Sequence, residues 1–257
     1  MATGGWQCAA VGVLAAFGLL AGEAGARTVA IYAPPSVSEA EVLASPVSQL
    51  LAGAGDELVV FDSLSAEVLG LVLGEADLLV LDQHAGGRLI TSISGSAVET
   101  VRGYVDEGGG LLAIGNRLGR GATAINLFFG SGLRNVADTG IDQTELRYPF
   151  GVFEGGPETV LNDTGALVNP GTLAANELTI YGVDGASSVV GGFFGAGAYM
   201  YLGIDGQSPL ALDAPVSDVI LRSADFAVDA TVIPLPVSAW AGLCLLSGMV
   251  YLRRTRG

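Results

Sequence analysis

Four short apolar runs, at residues 28–32, 57–61, 77–81 and 111–115, recur through the first half of the chain with amphipathic segments between them. Runs this short and this continuously apolar predict strands buried on both faces. The intervening segments 36–51, 63–73 and 96–107 predict helices. The first of these opens with Ser36 and Glu39 at capping-box spacing and carries Val42, Leu43, Val47, Leu50 and Leu51 on one side. It also contains Pro46, which predicts a kink or a split. The last stops at Gly108-Gly109-Gly110. Strands and helices alternating at these lengths predict right-handed crossovers and an α/β fold with a parallel, doubly wound sheet.

The alternation breaks over residues 123–198. A short helix is predicted over 125–133, whereas 145–152, 178–183 and 188–194 predict β segments, with turns at Asn162-Asp163 and Asp184-Gly185. This is a β-rich insertion at about 131–198, followed by a late strand at 199–203 and a closing helix at 217–228. Glycine makes up 39 of the 257 residues, and its concentration in this region favours bulges and turns over long helices. No repeat of regular period is present, which argues against a solenoid or propeller.

The two ends are patterned differently from the body. Residues 8–22 form an uncharged apolar run followed by Ala24-Gly25-Ala26, a small-x-small junction, so 1–26 is predicted to be a signal peptide and Arg27 the mature N-terminus. The segment before the run has no Lys or Arg, which leaves an uncleaved N-terminal anchor as the alternative. Cys8 precedes the apolar run, the wrong place for a lipidated cysteine. At the other end Pro234 and Pro236 keep the chain extended. The uncharged stretch 237–252, flanked by Trp240 and Tyr251, is sixteen residues long and predicts a transmembrane helix slightly below the usual length of ~20. Arg253, Arg254 and Arg256 would hold its end in the cytoplasm, leaving an ectodomain, 27–232, outside.

This three-part tail resembles the PEP-CTERM sorting signals of Gram-negative bacteria in their Val-Pro-Leu-Pro-Ala variant. The motif here is Ile233-Pro234-Leu235-Pro236-Val237, with Ile for Val and Val for Ala. The resemblance implies cleavage at the motif by an exosortase, a multi-spanning membrane protease, and release to the cell surface, often alongside exopolysaccharide. The implied partners are the exosortase, an exopolysaccharide or other envelope component, and the membrane before processing. An anchor that is never cut is the other reading of the same residues.

Both cysteines, Cys8 and Cys244, fall outside 27–232, so the ectodomain has no disulfide, thiol nucleophile or thiolate metal ligand. Its eight arginines stand against twenty-five acids, a net of −17 with no lysine, which repels nucleic acid and suits a soluble exported protein. The acids do not have calcium-loop spacing, and neither a metal nor a cofactor is expected. Trp6 and Trp240 both lie in the terminal segments, so a glycan would have to meet Tyr, Phe or polar groups.

Within residues 76–119 a strand with a polar tip, a helix reading VRGYVDEGGG and a strand reading LLAIG are similar to the core of class I glutamine amidotransferase-like domains, including the ThuA-like branch. The similarity extends over 27–125 and 199–229. It implies a catalytic cysteine in a Gly-x-Cys-x-Gly turn after the strand, with a histidine downstream. This chain has Gly115-Asn116-Arg117-Leu118-Gly119, with Arg117 where the thiol would be, and its single histidine, His84, lies upstream. A guanidinium is neither nucleophile nor base at neutral pH. The resemblance therefore implies a retained fold without amidotransferase chemistry.

In a doubly wound fold ligands gather beyond the carboxyl ends of the strands, which selects Asp62, Gln83, His84, Asn116, Arg117 and Asp205. His84 with Asp62 or Asp82 would make a general base, and Arg117 would fork onto a carboxylate or a pair of sugar hydroxyls. The plainer roles are a turn hydrogen bond for His84, a local ion pair for Arg117, and helix or turn capping for Asp62 and Asp205. Two functions follow. One is an exported surface or matrix protein whose domain binds a glycan or envelope component. The other is a secreted hydrolase acting on carbohydrate or amide substrates through these Asp and His groups. The lack of cysteine and of a Gly-x-Ser-x-Gly elbow favours the first.

Overall fold

Four helices begin in the same way, with a serine hydroxyl accepting a backbone N–H of the first turn: Ser38 before α1 (Glu39–Leu43), Ser45 before α2 (Pro46–Gly53), Ser65 before α3 (Ala66–Leu73) and Ser94 before α4 (Gly95–Asp106). At α1 Glu41 completes a capping box with Ser38, two residues beyond the expected pair Ser36 and Glu39. Pro46 does split the first helical segment, sitting in the first turn of α2, where its missing N–H costs nothing. Two further helices, α5 (Arg120–Phe129) and α6 (Ala214–Asp229), complete the set.

This computed structural model describes residues 26–82, 93–115, 120–136, 141–161 and 166–229. The expected signal peptide, the motif Ile233, Pro234, Leu235, Pro236 and Val237, and the apolar stretch 237–252 lie outside the described residues, as do Gln83, His84, Asn116 and Arg117. Among the described residues no helix is long and apolar enough to cross a membrane.

The four apolar runs become β1 (Thr28–Tyr32), β2 (Glu57–Phe61), β3 (Leu78–Asp82) and β4 (Gly110–Ile114). They are followed by β5 (Gln143–Leu146), β6 (Thr159–Leu161), β7 (Glu177–Val183), β8 (Ala186–Phe194) and β9 (Gly197–Leu202). All nine form one sheet in the order β2-β1-β3-β4-β9-β8-β7-β5-β6. The pairings from β2 to β9 are parallel, and those from β9 to β6 are antiparallel.

This corrects the expectation of a parallel sheet with a separate β-rich insertion. The inserted strands continue the main sheet because β8 turns back through Gly195 (φ +59°) and pairs along the outer edge of β9, satisfying N–H and C=O groups that would otherwise be unpaired. Two local readings also change. The β segment expected at 145–152 stops at Leu146, and the chain turns through Gly151 (φ +59°) into a short 3₁₀ turn, Gly151–Phe153. β6 has only three residues, too few for a period to register.

Successive residues of each strand feed opposite cores. Val29, Val80, Leu112 and Leu202 face one way and pack with Val42, Leu51 and Val219 from α1, α2 and α6. Ala30, Leu79, Leu111 and Tyr201 face the other way and pack with Leu69, Val101 and Phe128 from α3, α4 and α5. Burial on both faces explains why β3 and β4 are apolar throughout except at one position, Asp82. At the opposite end of the strands Arg27 ties the layers together. Its Nε and Nη2 donate to Asp56 Oδ1 and Oδ2 at 2.9 and 2.8 Å, and its Nη1 to Asp225 Oδ1 at 2.6 Å.

Candidate functional site

β2 lies on one side of β1 and β3 on the other, so the chain reverses its winding between β1 and β3, and the crevice beyond their carboxyl ends is the place where such sheets bind ligands. Around it stand the ends of β1, β2, β3, β4 and β9.

Asp82, the last residue of β3, is a charged residue only 2 % exposed. A carboxylate in such a position is costly unless it is hydrogen-bonded. Gln207 Nε2 donates to its Oδ2 from the segment that follows β9. Gly206 makes the approach possible: a Cβ there would lie 2.9 Å from Asp82 Oδ1, 2.9 Å from Val47 Cγ2 and 3.0 Å from Ile114 Cγ2. Asp205 shapes the same turn, its Oδ1 accepting the Gln207 N–H at 3.0 Å and its carbonyl the Ser208 N–H at 3.1 Å. The segment 205–208 is thus folded over the ends of β3 and β4, with Asp205 orienting Gln207 and Gln207 reaching Asp82.

Asp62 sits apart from this group. It follows β2, an edge strand two positions from β3, over whose end the 205–208 segment is folded, about 10 Å at the usual strand spacing. It is exposed, and α3 is capped by Ser65, so Asp62 does not have the helix-capping role considered for it. The neighbouring Tyr32 ring lies 5.7 Å from that of Phe61, and burial first, then the charge of Asp62, push the Tyr32 hydroxyl above its ordinary value.

The junction from β4 to α5 is held by close packing. A Cβ on Gly115 would stand 3.0 Å from Tyr201 Oη, and one on Gly121 would stand 3.0 Å from Gly115 N and 3.1 Å from Tyr201 Cε2. The first turn of α5 is thereby pressed onto the end of β4, and residues 116–119 between them lie outside the described residues. Tyr201 supports it from beneath, donating its hydroxyl to the Ala166 carbonyl.

In the sequence Asp82 stood out only as a partner for His84, and Gln207 and Tyr201 were missed. The available signals were the single acid closing an otherwise apolar strand and the Asp205-Gly206 turn after β9. Among the described residues no three His, Cys, Asp or Glu side chains converge in a way that could hold a metal ion.

Several buried tyrosines are held protonated. Burial raises the hydroxyls of Tyr104, Tyr199 and Tyr201, and pushes that of Tyr181 up to about 12, with Asp218 adding to the effect and Arg222 opposing it. A folded value above the unfolded value of about 10 gives stability that is fully present below pH ~10 and is lost as pH rises through the folded value. Denaturant titrations should show an unfolding free energy that is flat from about pH 8 to 9.5 and falls between about pH 10 and 12. Stability unchanged to pH ~12 would contradict this account of the core tyrosines.

No protein-family model and no curated protein matches this chain. Solved structures do. A cytoplasmic protein of Salmonella typhimurium superposes with TM-score 0.54 at 14 % identity over 78 % of this chain and 98 % of its own. A protein described as ThuA-like from Parabacteroides merdae gives 0.54 at 14 % over 82 % and 93 %. One described as a GMP synthase subunit, from Thermoplasma acidophilum, gives 0.54 at 13 % over 80 % and 95 %. At these identities the likeness concerns the fold alone: this chain shares a mixed α/β fold with these proteins, which fits an amidotransferase-like arrangement.

Proposed function

We propose that this is an exported, exosortase-processed protein of the cell surface or extracellular matrix, in which an amidotransferase-like fold serves as a non-catalytic binding domain. The observation that carries the reading is the β4–α5 junction. Gly115 and Gly121 preserve the tight strand-to-helix approach at which the related fold carries a thiol, while the sequence supplies Arg117 there and no cysteine anywhere in 27–232. Without a thiolate no glutamyl thioester can form.

The binding surface in this reading is the strand-end crevice. Asp205 and Gln207 are half-buried and offer carboxylate and amide groups, and Asn116 and Arg117, which follow β4 in the sequence, are the further candidates, a set suited to hydroxyl-rich ligands such as a glycan. Asp82 is too deeply buried to touch a ligand and acts by holding the 205–208 segment in place. The export reading is supported by the small-x-small junction before Arg27 and by the Ile233-Pro234-Leu235-Pro236-Val237 tail.

One preparation tests both parts: the full chain produced in a bacterium that contains an exosortase, with the exported product purified. Mass spectrometry should find Arg27 at its N-terminus and an end near Pro236, and the product should show no glutaminase turnover above background at any pH. Intact 233–257 on the exported protein would refute sorting and leave a plain anchor. Measurable glutamine hydrolysis would refute the non-catalytic reading.

A further inference from the structure

The described domain begins and ends at the same pole. β1 enters the sheet at Thr28, and the residue before it, Arg27, is bonded to Asp225 in the last turns of α6, which ends at Asp229. The loops leading into β2, β3 and β4 reach this pole as well. Thr28 N–H donates to Asp77 Oδ2 at 2.8 Å, and a Cβ on Gly110 would lie 2.8 Å from the carbonyl of Ala227. The crevice with Asp205 and Gln207 lies at the other end of the strands.

We propose that whenever either apolar terminal segment holds the chain at a membrane, the domain stands on this pole, with the carboxyl ends of its parallel strands facing away from the bilayer. The proposal rests on the anchoring part of the reading above and adds to it the face that meets the outside.

Two lengths carry the argument. Only residues 23–26 separate the first apolar run from Arg27, a span of at most ~14 Å, and only 230–236 separate Asp229 from the second, at most ~24 Å. A domain of about 200 residues is roughly 40 Å across. Neither tether is long enough to run up its side and bring the strand-end crevice to the lipid. Both tethers start from one pole, so the orientation is the same whichever segment is retained.

Charge decides how the pole meets the surface. Asp56 and Asp225 are paired with Arg27 there, Asp77 accepts the Thr28 N–H, Asp229 ends α6, and Glu75 and Glu107 stand in the turns that lead into β3 and β4. Burial first, and also the charges of Asp229 and Asp56, raise the Asp225 carboxyl against the pull of Arg27, so Asp56, Asp225 and Asp229 are within electrostatic reach of one another. Anionic headgroups repel such a pole over a screening length of ~8 Å, less than either tether spans. The domain is therefore held off the headgroups by about that distance, which either tether can span.

The test uses the full chain with Cys8→Ser and Cys244→Ser, reconstituted in phosphatidylethanolamine–phosphatidylglycerol vesicles whose headgroups carry an energy acceptor. A donor is attached at Glu107→Cys, on the tethered pole, or at Ser36→Cys, beside the strand ends; Glu75→Cys and Asp213→Cys form a second pair. In chains that float with the vesicles, transfer should be severalfold stronger from position 107 than from 36, and from 75 than from 213. Equal or reversed transfer in both pairs overturns the orientation while leaving the anchor intact. Failure to float overturns the anchor, and the orientation with it.

Discussion

Arg27→Ala should lower the unfolding free energy by about 3 kcal/mol and the melting temperature by roughly 6–12 °C. The guanidinium makes a two-pronged contact to Asp56, whose side chain is only 5 % exposed, and a single bond to Asp225, which is 46 % exposed. The loss at Asp225 is small because water can replace the arginine there. The loss at Asp56 is large because its carboxylate would remain buried without its partner. Arg27→Lys should give an intermediate loss, since a point charge cannot match both oxygens. Replacing the pair together, Arg27→Met with Asp56→Leu, should recover most of the stability, because the cost comes from the stranded charge. A change below ~1 kcal/mol for Arg27→Ala in denaturant titrations would show that the clamp contributes little. The contact also bears on processing, because a cut after Ala26 would leave the new N-terminus on a residue already fixed to both α6 and the loop before β2.

Gly197→Ala should cost about 3 kcal/mol, at the upper end of what overpacking does. A Cβ at that position would stand 2.4 Å from the carbonyl oxygens of both Gly109 and Val105, and 3.1 Å from Gly108 C. These are backbone atoms at the end of α4 and in the turn before β4, so no side-chain rotation can relieve the clash. The turn between β8 and β9 is packed directly onto the turn between α4 and β4, and Ala196 N–H donates to the Asp106 carbonyl at 2.9 Å across the contact. Gly103→Ala is the control, with nothing within 4 Å of its added carbon. It lies inside α4 and should gain about 0.5–1 kcal/mol, because alanine is the better helix former. Equal effects of the two substitutions, measured by chemical denaturation, would mean that the turn can shift to make room.

The strands β1, β3 and β4 were legible in the sequence because burial on both faces leaves a signature inside five residues, β2 because its run is apolar although it forms a partly exposed edge, and the split at Pro46 because a proline ring acts on its own neighbours. The lack of a thiol in 27–232 was legible too, as a property of composition. The helix start at Ser38 was missed by two residues, since Ser36 with Glu39 offers the same spacing and only packing chooses between them.

Other features depended on where separate segments met. Strand β8 has the same β character whether it belongs to a separate insertion or lines the edge of β9, and its pairing with β9 made the sheet mixed. Asp82 and Gln207 are 125 residues apart, and Arg27 and Asp225 are 198 apart. Periodicity, caps and prolines act over a few residues, so one sequence displays them. A hydrogen bond or ion pair between distant segments forms only after the sheet has chosen its order, and that choice is made by all the buried surfaces together.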